Sequence, residues 1–365
     1  MQPTRFISGL EICGIFFEHS VKPIFQRFYS HLKYTAALVG EGSEVLGFDA
    51  PISCDHDWGP RVKIFLTEDD QQSLAQEISH KLRQELPAKQ GVYPTNFLQI
   101  EGGKTKVMQE GAEGNINHRV EFSSIAGFIR EYMAFDIAKT IEASDWLSFS
   151  EQKLATIVGG KVFHDELDFE KERRRFSYYP HDIWLYLMAC QWTRIEQEQH
   201  LMSRAGYAGD ELGCSIIAAR LVRDVMRLGF LLERTYAPYP KWFGSAFQKL
   251  NCASVLSPHL KQVMNSDNWK TREKHLVAAY ELLALAHNEL RISDPIPSKA
   301  STFFERPFLV ISCGEASAAI SSAINDPEVK RIAQKGMIGS LDQFTDSTDL
   351  ISNPQWRVGI KNLYH

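Results

Sequence analysis

The chain has 365 residues, enough for one large domain or two of ordinary size. Hydrophobic residues make up 44% of it and charged residues 23%, a balance that excludes a wholly disordered protein. The formal net charge of −5 argues against a protein that coats nucleic acid through bulk positive charge, although a local basic groove is compatible with it.

The cysteines and the apolar runs of the sequence indicate the cellular compartment of the protein. The six cysteines form no CxxC pair and no Cys/His cluster with zinc-ligand spacing, which indicates free thiols in a reducing environment. Glu11 and Glu18 interrupt the first apolar patch, so it does not resemble a signal peptide. No run approaches 18 uncharged apolar residues. We therefore expect a cytoplasmic protein with no membrane partner.

Helical and strand-like patterns alternate over the first 165 residues. Apolar residues at helical spacing predict a helix over 21–35, and the short apolar run 36–39 is typical of a buried strand. A glycine turn leads to a second strand-like segment, 54–66, in which Gly59-Pro60 predicts a bend. The other predicted elements are helices over 69–86, 125–141 and 149–158, strands over 119–123 and 161–164, and a glycine-rich loop over 102–114.

Long helical patterns dominate the rest of the chain. The predicted helices are 180–202, which Pro180 begins, and 210–235, 241–250, 257–265 and 269–290. The whole pattern predicts an α+β chain, with a mixed α/β domain over residues 1–165 and an all-helical domain over residues 166–365.

The segment between residues 39 and 66 is the most informative part of the sequence. Gly42-Ser43 follows a short apolar strand, and Asp55 and Asp57 stand at the start of the next strand-like segment. Residues i and i+2 of a strand point to the same face, so the two carboxylates would repel each other unless a cation lay between them. Magnesium favours such oxygen ligands and keeps room for phosphate oxygens.

This pattern resembles the signature of polymerase-beta-like nucleotidyltransferases, in which Gly-Ser precedes an Asp-x-Asp on a strand by about ten residues. The resemblance implies a nucleotidyltransferase fold for the first domain, with two Mg²⁺ ions as cofactors. It also implies that Gly42 and Ser43 bind the β- and γ-phosphates of a nucleoside triphosphate. Asp55 and Asp57 would hold the metal, and Glu121, in the strand-like HRVEF, is the candidate third catalytic and metal-binding acid.

Four motifs in order extend the resemblance over most of residues 40–250. They are GSEVLGFDAPISCDHDWGPRV, DWLSFSEQKLATIVGGKVFHD, RRRFSYYPHDIWLYLMACQW and YAPYPKWFGSAF. Together they look like a bacterial family of unknown function that joins a nucleotidyltransferase domain to a helical part. The last motif is similar to kanamycin and lincosamide nucleotidyltransferases, which makes Lys241 a candidate phosphate ligand and Trp242 a stacking residue. The alternative is a helix-capping turn with a core tryptophan.

Two groups of arginines offer further cationic candidates. Arg220, Arg223 and Arg227 share one helical face, and Arg220 is the candidate nucleotide ligand if that face lines a cleft. If the face looks outward, it is a charged surface. The triplet 173–175 suits phosphate, or forms a solvated face that neighbouring glutamates neutralise.

A general base for the acceptor hydroxyl would come from the helical domain, by analogy with the antibiotic-modifying enzymes. Asp182, Glu196 and Glu198 are equal candidates from the sequence. Arg194 and His200 also fit the loose Arg-x5-His spacing of helical ribonucleases, a pattern that arises readily by chance.

These patterns predict a magnesium-dependent nucleotidyltransferase that moves a nucleoside monophosphate from a nucleoside triphosphate, with ATP expected, to an acceptor hydroxyl. The acceptor is open among a small molecule, an RNA end and a protein side chain, and the net charge disfavours RNA. The alternative is a catalytically inactive module that binds a nucleotide or a partner on the same scaffold.

Overall fold

The structure is a computed structural model that describes residues 6–100, 103, 105–111 and 113–365. Strands and helices of this part of the chain are numbered in chain order. The strands are β1 (Thr35–Leu38), β2 (Arg61–Leu66), β3 (Lys89–Gln90), β4 (Tyr93–Pro94), β5 (Asn96–Gln99), β6 (Lys106–Gln109), β7 (Arg119–Ser124), β8 (Lys161–Asp165), β9 (Ser301–Thr302) and β10 (Leu309–Val310). The helices are α1 (Gly9–Phe16), α2 (Lys22–Phe28), α3 (Glu68–Glu85), α4 (Ile125–Met133), α5 (Ala143–Ser148), α6 (Glu151–Val158), α7 (Phe169–Arg174), α8 (His181–Tyr207), α9 (Glu211–Leu232), α10 (Pro240–Phe247), α11 (Ala253–Asn265), α12 (Trp269–Leu290), α13 (Cys313–Ser322), α14 (Pro327–Lys335), α15 (Leu341–Phe344), α16 (Thr348–Ser352) and α17 (Arg357–Lys361).

The chain divides into two compact units. Unit 1 comprises the residues up to Thr140 and Lys153–Ser177, and unit 2 comprises Ile141–Gln152 and Tyr178–His365. The chain therefore passes between the units three times, and α6 has residues in both. The domain boundary after residue 165 stays a prediction. In the structure, Ile141–Gln152 belongs to unit 2 and Lys153–Ser177 belongs to unit 1, so the segments around this position alternate between the units.

A four-stranded mixed sheet with the order β7-β2-β1-β8 forms the centre of unit 1. β1 is antiparallel to both β2 and β8, whereas β2 and β7 are parallel. A parallel pair needs a long crossover connection, and here α3 and the short strands β3–β6 supply it. This sheet agrees with the predicted mixed α/β character of the first part of the chain.

The core of unit 1 forms where α1, α2 and α3 cover one face of the sheet. Ile78 and Leu82, one turn apart on α3, lie in the same buried cluster as Ile64 of β2 and Val120 of β7. The helix predicted over 69–86 is confirmed as α3, one residue earlier at each end, and the Thr67 hydroxyl caps it by accepting a hydrogen bond from the Asp70 N–H at 3.1 Å.

Four predicted elements of unit 1 differ from the structure. The helix predicted over 21–35 ends at Phe28, and β1 begins at Thr35. The strand predicted over 54–66 is wrong in its first half, since a 3-10 helix, Pro51–Asp55, precedes β2. Part of the predicted loop 102–114 is β6, which pairs with β5, while residues 102, 104 and 112 lie outside the described residues. The helix predicted over 125–141 ends at Met133, because Ala134 adopts a left-handed conformation with φ of 48°.

Unit 2 is mainly helical and has α8 at its centre. Ten successive residues of α8, Ile183–Trp192, are buried, and the helix packs against α9, α12 and α13. A helix that is buried all round belongs to the middle of a large core. The second part is largely helical as predicted, but it is not all-helical, since β9 and β10 form a two-stranded antiparallel sheet in unit 2. In the described residues, no helix is long and apolar enough to cross a lipid bilayer.

The short helix α17 is tied to α5, which lies far from it in sequence. Arg357 forms a buried ion pair with Asp145, and Lys361 binds Glu142 at 2.8 Å. The Tyr364 hydroxyl also donates to the Leu147 carbonyl at 3.3 Å. Two segments separated by some 200 residues are thereby joined within unit 2.

The sheet core predicts a contrast between two isoleucines of unit 1. Ile64 is fully buried, whereas Ile52 is 85% exposed. We expect Ile64→Ala to lower the free energy of unfolding by about 2–5 kcal/mol, because it removes buried methyl groups and leaves a cavity. Ile52→Ala, the matched control, should change it by less than about 0.5 kcal/mol. Equal effects in urea denaturation would contradict the position of β2 in the core.

Candidate functional site

A glycine turn follows β1 and brings the backbone close to Arg61. Gly42 has φ of 133°, and a side chain at this position would overlap the Arg61 guanidinium. The Phe48 N–H donates to the Ser43 carbonyl at 2.9 Å, which holds the turn closed. Only glycine suits this combination of backbone angle and close approach.

A buried ion pair fixes this turn to the start of β2. Glu44 is 1% exposed and Arg61 is 8% exposed, and Arg61 Nε donates to Glu44 Oε1 at 2.7 Å. Arg61 Nη2 contacts the same carboxylate at 2.6 Å and also donates to the Glu41 carbonyl. Burial opposes the charge of Arg61, but Glu44, Cys13 and Glu121 together outweigh this effect and the pKa of Arg61 is raised.

Charged side chains lie opposite each other on the parallel strands β2 and β7. Arg61 is in register with Arg119, and Lys63 is in register with Glu121. Because residues i and i+2 share a face, all four belong to one face of the sheet. They also line a small recess beside the end of β1. Lys63 Nζ lies 2.8 Å from Glu121 Oε2, so Glu121 is already paired with a cation.

Arg119 is buried without a full set of hydrogen bonds. It is 8% exposed, and its Nε and Nη1 have no hydrogen-bond partner among the described residues. The nearest carboxylate oxygen to Nη1 belongs to Asp57 and lies 3.6 Å away, while the guanidinium carbon lies 5.5 Å from the Phe97 ring centroid. Burial and the neighbouring Arg61 lower the pKa of Arg119. A cation in this state favours the approach of an anion.

The two aspartates lie in the loop before β2 and not on the strand, which corrects the prediction. Asp55 ends the 3-10 helix, its side chain is 64% exposed, and its Oδ1 lies 2.9 Å from His56 Nδ1. Asp57 has φ of 50° and is tied to β6, since its N–H donates to the Lys106 carbonyl at 2.8 Å. Its Oδ1 accepts from the Lys106 N–H at 3.2 Å. Gly59 and Pro60 separate these residues from β2.

The predicted metal triad is not assembled. Among the described residues, no group of three or more His, Cys, Asp or Glu side chains is placed to hold a metal ion, and this covers Asp55, Asp57 and Glu121. The exposure of Asp55, the backbone contacts of Asp57 and the Lys63 partner of Glu121 are the physical reasons. These side chains therefore do not fit two magnesium ions in this arrangement.

The predicted cations of unit 2 have acidic or aromatic neighbours. Arg220 is ion-paired with Glu198, and its side chain is 56% exposed. Lys241 is exposed in the first turn of α10, with Nζ 5.1 Å from the Trp242 ring centroid. Neither contact tests nucleotide binding, so the roles of Arg220 and Lys241 stay predictions.

Contacts within each unit account for the other charged motifs. In unit 1, Arg173 donates to the carbonyls of Ile157 and Val158 at 2.9 and 2.6 Å, which favours a structural role. In unit 2, Arg194 binds Asp224 at 3.2 Å, and the His200 ring stacks on Phe303. These contacts give no support to the ribonuclease hypothesis.

Unit 2 contains a buried polar centre that the sequence analysis missed. The Glu151 carboxylate accepts from the Ala237 N–H at 2.7 Å and from Arg227 Nη1 at 3.2 Å. The Glu151 N–H in turn donates to Asp342 Oδ2 at 2.8 Å. Burial raises the pKa of both carboxyl groups. The centre therefore joins α6, α9 and α15 and explains why Arg227 does not belong to a charged surface.

Three tyrosines pack together in unit 2. The rings of Tyr178, Tyr179 and Tyr236 have centroids 5.1 to 5.2 Å apart. Burial raises the pKa of all three hydroxyls well above the ordinary range, so they stay protonated. The Tyr-Tyr and YAPYPKW motifs of the sequence thus contribute to one aromatic cluster.

Comparison with known proteins gives two similarities. Residues 146–243 match a family described as Domain of unknown function (DUF4037), which covers less than a third of the chain. A solved structure, a nucleotidyltransferase-like protein from Exiguobacterium sibiricum, covers 84% of this chain and 89% of its own, at 9% identity and a TM-score of 0.32. This structural similarity is too low to assign an activity. No match was found among curated proteins.

The Lys63–Glu121 pair predicts a pH dependence of stability. Burial alone would raise the pKa of Glu121, but Lys63, Arg61 and Arg119 together lower it to about 2. A lowered pKa in the folded state adds stability above the unfolded-state pKa of about 4.3, and this stability is lost as the pH falls toward about 2. The native chain should therefore be more stable than Glu121→Gln at neutral pH, and the difference should shrink below about pH 4.5.

Urea denaturation at several pH values measures this difference. Glu131→Gln serves as the control, because Glu131 is exposed on α4 in the same unit. The native chain and Glu121→Gln should differ less in free energy of unfolding at about pH 3 than at about pH 5. A constant difference over this range would contradict the ion pair.

Proposed function

We propose that the chain is a nucleotidyltransferase that binds a nucleoside triphosphate in unit 1 and transfers its nucleoside monophosphate to an acceptor hydroxyl. The observation that carries this proposal is Arg119, a buried guanidinium with two nitrogens that lack hydrogen-bond partners among the described residues. It lies in register with Arg61, which contacts the Gly42 turn. Guanidinium groups bind phosphate oxygens in pairs, and a glycine turn gives such oxygens access to the backbone.

The chemistry proposed for this site is an in-line displacement. The acceptor oxygen forms a bond to the α-phosphorus, the bond from that phosphorus to the bridging oxygen of the β-phosphate breaks, and pyrophosphate leaves with its electron pair. The acceptor proton passes to a base. Arg61, Lys63 and Arg119 would stabilise the negative charge on the phosphates, and Gly42 with Ser43 would position them.

Magnesium dependence is a separate part of the proposal. Asp55, Asp57 and Glu121 are the residues that the sequence pattern offers as ligands, but their present arrangement does not form a metal site. No step of the displacement above is routed through the metal. The acceptor stays open among a small molecule, an RNA end and a protein hydroxyl, and ATP is the expected nucleotide.

A nucleotide-binding module without turnover is the second candidate. The Lys63–Glu121 ion pair favours it, because the acid proposed to complete the metal triad is neutralised by a lysine 2.8 Å away. Such a module would use the same arginines to bind phosphate and would release no pyrophosphate.

The role of Arg119 can be tested by calorimetric titration of ATP, GTP, CTP and UTP, with and without magnesium. We expect Arg119→Met to weaken binding of the preferred triphosphate by about tenfold or more, because it removes a buried phosphate donor. Arg130→Met is the matched control, since Arg130 is exposed on α4 in the same unit. Unchanged affinity in Arg119→Met would contradict the assignment of this site.

A variant with Asp55→Asn and Asp57→Asn tests the metal. If magnesium raises the affinity of the native chain for the triphosphate, the double variant should lose this increase. It should keep the affinity that the native chain shows without magnesium. Pyrophosphate release with candidate acceptors then separates the two functions, because turnover requires release and the binding module predicts none. Full release by the double variant would contradict a metal-binding role of the two aspartates.

A further inference from the structure

An open cavity of about 410 Å³ lies at the surface of unit 2 and is lined by none of the residues discussed so far. It is bounded by the end of α8, the first turns of α12 and the segment that leads into β10. Its volume falls in the range of small-molecule sites, which is about 300–1,000 Å³. Nothing in the proposed nucleotidyl transfer uses this cavity.

Two aromatic side chains, Tyr207 and Trp269, line one side of the cavity, and the buried Phe308 packs against both. Tyr207, Trp269 and Phe308 contact one another edge to face, with ring centroids 5.8 to 6.2 Å apart and interplanar angles of 74° to 86°. Gly206 lets Trp269 approach α8 closely, because a Cβ at this glycine would overlap the tryptophan. The Tyr207 side of this cluster is open, since Tyr207 is 66% exposed. The rings thus offer a rigid and accessible apolar wall.

Two lysines give the cavity a positive charge. Lys270 and Lys274 are one turn apart on α12, both are exposed, and neither forms an ion pair with a carboxylate in the described part of the chain. Lys270 lies in the first turn of a 22-residue helix, where the helix dipole also favours anions, and Lys274 lies one turn further along. Val277 continues the same helical face as an apolar position.

The acidic residue that lines the cavity is engaged in the protein framework. Glu273 is 8% exposed, and its Oε1 accepts from the Ser203 hydroxyl at 2.6 Å and from the Leu309 N–H at 3.1 Å. It therefore ties β10 to α8 and α12. Glu273 forms no ion pair with either lysine in the described part of the chain, and Lys270 Nζ lies 5.7 Å from the Trp269 ring centroid, so positive charge stands beside the ring.

We propose that this cavity binds a flat, mainly aromatic small molecule that carries an anionic group. The Trp269 and Tyr207 rings would contact the flat body, and Lys270 and Lys274 would contact the anion. The same lysines disfavour a cationic ligand, which the aromatic rings alone would accept. A nucleoside monophosphate and an aromatic carboxylic acid share the required chemistry.

Fluorescence titration of the full chain with two probes tests this site. The anionic probe is 8-anilinonaphthalene-1-sulfonate, and the neutral probe is N-phenyl-1-naphthylamine, which has the same rings without the sulfonate. We expect the variant Lys270→Ala, Lys274→Ala to bind the anionic probe about tenfold more weakly and to bind the neutral probe with little change. Lys261→Ala, at an exposed position of α11, should leave both affinities unchanged.

A second variant shows whether the probes occupy this cavity. Val277→Trp should fill it and weaken binding of both probes, with circular dichroism to verify that the helices persist. Displacement of the anionic probe by adenosine monophosphate would identify a phosphate ligand, and displacement by 2-naphthoate would identify a carboxylate. The proposal is overturned if the lysine variant binds both probes as the native chain does, if folded Val277→Trp keeps full affinity, or if neither competitor displaces the probe.

Discussion

The structure of unit 1 depends on the burial of two arginines at the start of parallel strands. Arg61 and Arg119 are in register, and both are 8% exposed. Two adjacent guanidinium groups repel each other and lose hydration, so each requires nearby negative charge. Glu44 provides it for Arg61 through the closed turn after β1, whereas Arg119 is not hydrogen-bonded to a carboxylate in the described part of the chain and has Glu121 and Asp57 as its acidic neighbours. This difference between the two arginines is the basis of the phosphate-binding role proposed for Arg119.

The same constraint explains where the acids lie. Glu121 is drawn to Lys63 because the parallel register places them side by side. Asp57 is held by the backbone of β6, and Asp55 stays in water beside His56. Carboxylates that are already neutralised by a cation or hydrated by water gain less free energy from binding a metal ion. These acids therefore do not gather at one point in the described part of the chain, and a metal would have to bring them together.

Much of the fold could be predicted from local signals. The helix beginning at Thr67 has a capping residue, and α12 has a continuous apolar periodicity, so both were predicted close to their bounds. The strand over 54–66 was wrong because the proline and glycine residues around the two aspartates favour a 3-10 helix and a turn. At the proposed site, the sequence pattern pointed to Gly42, whose role stays a prediction, and it did not point to Arg61 or Arg119. The two arginines become neighbours only when β2 pairs with β7, and they are 58 residues apart in the sequence. A local sequence pattern cannot predict such a pairing.

The link between α5 and α17 has a consequence for synthesis. Asp145 leaves the ribosome 212 residues before Arg357, its buried partner. At about 5–20 residues per second, this interval lasts about 10–40 s. Until Arg357 has been synthesised, the Asp145 carboxylate lacks this partner for its negative charge and stays hydrated. Unit 2 thus completes its packing late, and a nascent chain paused before Arg357 presents α5 to chaperones and proteases.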